Sequence, residues 1–139
     1  MFFSKNKDKT NKNDDLVKIA ALLIHAAKID ENYTDKEQEI IKQVLFELGA
    51  DKGNIKNILE DGKKIEENSN QILDFTKEIK NSSMETKIKI IETLWQIIYS
   101  NNDVDIYESN LMRRLGGLLY IDSKIMGNIK EKIKKQNSK

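Results

Sequence analysis

Two short stretches of this chain concentrate oxygen ligands. The first is KIDENYTDKE at 28–37, carrying Asp30, Asn32, Asp35 and Glu37. The second is YSNNDVDIYE at 99–108, carrying Asn101, Asp103, Asp105 and Glu108. Carboxylates and amides at this density suit hard divalent cations such as calcium or magnesium. Both stretches open on alternating oxygens, Asp30-x-Asn32-x-Thr34 and Asn101-x-Asp103-x-Asp105. Neither is an EF-hand. The sixth loop position is Asp35 or Ile106 where that loop turns on Gly, and the twelfth is Ile41 or Met112 where it needs Glu. A cation site here takes another geometry, with Asp30, Asn32, Glu37, Asp103, Asp105 and Glu108 as its candidate ligands.

The same residues have a second use. Thr34 with Glu37, and Asp105 with Glu108, stand at capping-box spacing. Acids at a helix start are also stabilised by the backbone dipole. A cap contributes about 0.5–2 kcal/mol, enough to select these residue types without a ligand. Capping leaves Asp30, Asn32 and Asp103 to turn chemistry or to a cation.

Other chemistry is sparse. The single histidine, His25, lies near the apolar face of a helix, with no Ser, Cys or second His at a suggestive spacing, and reads as structural. One histidine and no cysteine exclude a histidine-rich or thiolate metal site, a disulfide and a cysteine nucleophile. Trp95 reads as core. Tyr107, Arg113 and Arg114 follow the second corner and are candidate contacts to a protein partner or an anion. Gly116 and Gly117 follow no strand, so they make no phosphate loop and predict close helix packing instead.

The elements that position these residues are helices. There is no proline, and Lys, Glu, Ile and Leu abound, so nothing forces a helix break. Apolar residues recur at spacings of three and four, and no segment alternates as a half-buried strand would. Helix one starts at Asp14 or Asp15 and turns Leu16, Ile19, Ala20, Leu23, Ala26 and Ala27 inward. Helix two runs from Thr34 to Gly49, with Ile40, Ile41, Val44, Leu45 and Leu48 inward. Asp51 caps helix three, where Gly62 should loosen the last part. Ser69 caps a short helix four, and Ser82 with Glu85 caps helix five. Helix six spans about 106–119, and Asp122 caps helix seven.

The chain of 139 residues is long enough for one domain with a real core. We expect a disordered arm over 1–13, a helical domain over 14–135 and a frayed tail over 136–139. A net charge of +1 gives no field to attract nucleic acid. No apolar run reaches the roughly 18 residues of a membrane span, and the start MFFSKNKDKTNKN lacks the apolar core of a signal peptide. The expected location is the cytoplasm, with a peripheral contact to the inner membrane through Phe2, Phe3 and the basic arm as an alternative.

Sliding the chain by 71 residues superposes its two ends without a gap. Ile19 falls on Ile90, Leu23 on Leu94, Ile24 on Trp95, Glu37 on Glu108, Ile41 on Met112, Val44 on Leu115 and Asp51 on Asp122. Helices one to three and five to seven therefore read as two copies of one unit, bridged by helix four. The alanines of helix one oppose large residues in its copy, so the two units should pack big against small.

LLIHAAKIDENYTDKEQEII, and later ETLWQIIYSNNDVDIYESNLMRRLGGLLYID, resemble the TerB-like family, the tellurite-resistance TerB proteins and their bacterial relatives. The resemblance covers about 14–133. Its most specific part is the second corner, with Leu94-Trp95, then Asp105-x-Tyr107-Glu108 and the Arg113-Arg114 pair. The chain departs from the family at the turn glycine, which is Glu31 in one copy and Asn102 in the other. The turn aspartate of the second copy is Asn101. The resemblance implies an all-α, internally duplicated bundle of seven helices and a role in stress response, with acidic clusters suspected of metal binding and no established enzymatic activity. The expected role is a binding or scaffold module in a stress or envelope-associated response, with a protein partner; the alternative is a membrane-surface adaptor working through Phe2, Phe3 and the basic arm. The rival reading, a carboxylate di-metal enzyme on Asp30, Glu37, Asp103 and Glu108, lacks the Glu-x-x-His pairs such centres use.

Overall fold

The apolar spacing is realised as seven helices. The computed structural model describes residues 2–28, 34–69, 73–99 and 106–137. These residues form α1 (Phe2–Ala27), α2 (Asp35–Glu47), α3 (Ile55–Asn68), α4 (Leu73–Ile79), α5 (Met84–Tyr99), α6 (Ile106–Leu118) and α7 (Ser123–Asn137), with no strand among them. The fold is all-α, as the residue pattern predicts.

Two helices form the centre. The second half of α1 buries Ala20 to Ile24 in an unbroken run, then Ala26 and Ala27. A helix apolar on all sides needs neighbours on all sides, and α1 has them in α2, α3, α4 and α5. In α5, Ile90, Ile91, Thr93, Leu94, Trp95, Ile97 and Ile98 are buried. The Thr93 hydroxyl is satisfied inside its own helix, donating to the Lys89 carbonyl at 2.8 Å. α1 packs chiefly on α3 and α5 chiefly on α7, which are the equivalent pairs of the proposed repeat, and α1 and α5 pack on each other.

Two local devices recur 71 residues apart. α2 ends in a Schellman turn, with Ala50 N–H donating to the Leu45 carbonyl at 2.9 Å and Gly49 N–H to that of Phe46 at 3.1 Å. α6 ends in the same turn, with Ile121 N–H donating to Gly116 at 2.9 Å and Tyr120 N–H to Gly117 at 3.3 Å. Then Asp51 Oδ1 accepts the Gly53 N–H, and Asp122 Oδ1 accepts the Lys124 N–H, both at 2.8 Å. These matched turns and caps support the duplication read from the apolar phase.

The Schellman turn needs a left-handed residue. Gly49 supplies it at φ 120°, whereas its counterpart is Tyr120 at φ 57°. A side chain in this region costs about 1–2 kcal/mol, and Tyr120, 69% exposed, recovers little of it by packing. Glycine there is more flexible when unfolded, which offsets part of the gain. Tyr120→Gly should therefore raise stability by about 0.5–1 kcal/mol, read as a higher denaturation midpoint at unchanged slope.

Several boundaries differ from the sequence reading. The helical backbone begins at Phe2 instead of Asp14 or Asp15 and ends at Asn137. No Gly or Pro interrupts residues 2–13, so nothing local stops the helix before the acids. α3 runs unbroken through Gly62 to Asn68, because Gly62 is a packing residue and not a weak point. Asp51 caps a turn that precedes α3: its Oδ1 also accepts the Asn54 N–H at 2.9 Å, and Asn54 Oδ1 accepts the Asp51 N–H at 2.8 Å. Ser69 closes α3 as its C-cap. At α5 the capping hydroxyl is that of Ser83, not Ser82, and it accepts the Thr86 N–H at 3.2 Å. The two serines are equivalent by type, and the start of the helix at Met84 selects the nearer one.

Candidate functional site

The first acidic corner is visible at its helical end. Thr34 is extended, at φ −84° and ψ 164°, and its hydroxyl accepts the Glu37 N–H at 3.2 Å. Glu37 reaches back, its Oε1 accepting the Thr34 N–H at 2.8 Å and the Thr34 hydroxyl at 3.1 Å. The capping box is complete, with Glu37 only 1% exposed and Thr34 at the surface. This carboxylate is thus committed to starting α2. Asp35 is exposed in the first turn.

Asp30, Asn32, Asp103 and Asp105 lie outside the described residues. Tyr107 and Glu108 open α6, but their side chains lie outside them too. Of the six candidate ligands only Glu37 is therefore placed in full. Among the described residues, no group of three or more His, Asp or Glu side chains comes together to hold a metal ion. Arg113 and Arg114 are both exposed on α6.

His25 is half-buried near the end of α1, its ring centroid 5.7 Å from that of Phe75 on α4. Burial holds its pKa below the usual 6.5, the nearby Glu66 carboxylate pulls it up, and Lys28 pushes it down. Lys28 and Glu66 themselves pair at 3.4 Å, joining the end of α1 to α3. A folded pKa below the unfolded one means that the unfolded chain binds the extra proton first. The stability His25 lends is present above pH 6.5 and falls away as pH drops below that toward the folded value. The melting temperature should decline on acidification through this window, and His25→Gln should flatten that part of the profile. The geometry packs this histidine against Phe75.

The described residues form several surface depressions, two of them against the middle of α5. One, of about 550 Å³, lies between α2 and α5 and carries both charge signs, Lys36, Glu39, Glu47, Lys89 and Glu92 among them. The Lys89–Glu47 pair spans it at 3.6 Å. The other, of about 410 Å³, lies among α5, α6 and α7. Trp95 lines it, and its indole N–H is buried without a hydrogen-bond partner. Lys130 Nζ sits 5.4 Å from the centre of that indole, and Tyr99 stacks on it with centroids 5.7 Å apart. Sequence reasoning placed Trp95 in the core, where it is. It missed the unpaired donor, because an indole's partner is a tertiary matter. The Gly pair divides likewise: Gly116 packs closely, with an added Cβ 3.2 Å from Met126 Cγ, whereas a Cβ on Gly117 would meet nothing within 4 Å.

No helix among the described residues is long and apolar enough to cross a membrane. No curated protein and no solved structure matches the chain. The family model described as tellurite resistance protein TerB matches residues 16–131, a stretch that opens at the buried Leu16 of α1, takes in both acidic corners and closes within α7. With that match over most of its length, and an all-α fold to go with it, the chain belongs to the TerB family.

Proposed function

We propose that this chain is a non-catalytic binding module of a tellurite-resistance-type stress response, working in the cytoplasm. In this reading the corners at 30–37 and 101–108 hold a divalent cation, calcium or magnesium, and present a surface to a protein partner. The observation that carries it is the family match, which spans both corners. Asp30, Asn32, Glu37, Asp103, Asp105 and Glu108 would supply the oxygens, and the cation would order each corner against the start of the helix it precedes. The capping box supports this at one point, since it anchors Glu37 at the edge of the first corner. Arg113 and Arg114, exposed one to two turns along α6, are the partner contacts nearest the second corner, together with Tyr107.

The test is a titration of the labelled protein with calcium, magnesium, manganese and zinc, followed by NMR and repeated on Glu37→Gln and Glu108→Gln. Saturable shifts confined to 30–37 and 101–108, and lost in the variants, are the expected result. No saturable shift at millimolar metal, with both variants merely less stable, would reduce the duplicated acids to helix caps. Metal-dependent turnover of a substrate would instead favour the enzyme reading.

A further inference from the structure

The cleft among α5, α6 and α7 has the features of a ligand site, and its argument does not depend on the cation reading. Its apolar wall is formed by Trp95, Met112, Ile121 and Met126. Its volume of about 410 Å³ falls in the range of roughly 300–1,000 Å³ typical of small-molecule sites. Methionines make such a wall adaptable, because an unbranched thioether side chain repacks at little cost.

Three observations define what it would take. First, Trp95 is 4% exposed and its N–H has no acceptor. A buried donor left unpaired is costly, so an acceptor brought by a ligand would be favoured there once the flexible Met112 and Met126 side chains of the wall move aside to admit it. Second, the charged residues lining the cleft are Arg113 and Lys130, and no carboxylate is among the described lining residues. Third, two glycines face open space, Gly127 within α7 and Gly117 in the last turn of α6. A Cβ at Gly117 or at Gly127 would meet no atom within 4 Å, so neither glycine is required by packing. Gly127, inside its helix, still weakens that helix relative to alanine. Local rules broken without a packing reason are what a functional site produces.

We propose that this cleft binds a small organic anion with an apolar body, its carboxylate held by Arg113 and Lys130 and one of the carboxylate oxygens taking the Trp95 N–H. A wholly apolar ligand would leave both the cations and the indole donor without a partner. A cationic one would be repelled.

Trp95 is the only tryptophan, so the indole N–H gives one unmistakable NMR resonance. Octanoate is the probe. The expected result is a saturable downfield shift of that resonance, with a Kd of about 0.1–1 mM for a ligand of this size. Arg113→Gln should weaken binding about tenfold, the loss of one charge-assisted hydrogen bond. Gly127→Leu fills the cleft from an exposed helix face without touching the core, and should abolish the shift while the protein melts no lower than before. Octylammonium should not bind. The proposal is overturned if the indole resonance does not move with octanoate, if octylammonium moves it equally, or if Gly127→Leu binds as the parent does. Shifts that spread over the whole surface without saturating would likewise overturn it.

Discussion

Leu23→Ala and Leu94→Ala should each lower stability by about 2–5 kcal/mol, the range for deleting a fully buried leucine side chain, and in each variant the protein should unfold in one transition. The two residues are equivalent under the 71-residue shift, one in α1 and one in α5, and both are completely buried. The loss combines lost transfer energy with the cavity left behind. That cavity stays open to the extent that the surroundings cannot collapse, and helices packed on several sides collapse poorly. α1 and α5 also touch each other, so a defect in one should be felt by both units. Chemical denaturation followed by far-ultraviolet circular dichroism and by Trp95 emission checks this. Coincident curves identify one cooperative body. Curves that separate, with the Trp95 signal insensitive to Leu23→Ala, would mean that the two proposed copies fold independently.

Gly62→Ala should destabilise by about 1–3 kcal/mol, the usual cost of overpacking, although alanine is the better helix former by about 1 kcal/mol. Gly62 sits in the interior of α3, buried against α1. A Cβ there would lie 2.8 Å from Ala20 Cβ and 3.2 Å from both the Ala21 nitrogen and the Val17 carbonyl oxygen. Two of these three are backbone atoms, which cannot swing aside, so the helices must separate. The contrast with Gly127→Ala makes the test decisive: nothing obstructs a Cβ there, and that variant should gain about 0.5–1 kcal/mol from helix propensity alone. If both glycine variants gain stability, α1 and α3 do not approach as closely as described. The repeat puts Ile133 opposite Gly62 and Ile91 opposite Ala20. One copy thus brings its first and third helices together through small residues, and the other fills the same space with large ones.

Much of this protein was legible one residue at a time. The absence of proline and the spacing of Leu16, Ile19 and Leu23, or of Ile91, Leu94 and Ile98, determined helices, because a helix must turn one apolar stripe inward. Thr34 and Glu37 determined the start of α2, since a capping box involves only residues three apart in the chain. The acidic corners, the 71-residue repeat and the family resemblance were readable for the same reason: each is a local pattern. Tertiary structure decided the rest. It buried α1 on all sides, since that depends on how many neighbours arrive. It turned Gly62 from an apparent weak point into a contact, because a missing Cβ has meaning only where another backbone comes near. It placed a left-handed turn on Tyr120, which no residue preference would choose. And it left the Trp95 indole N–H unpaired beside Arg113 and Lys130, a juxtaposition of three helices that spacing along the chain cannot express.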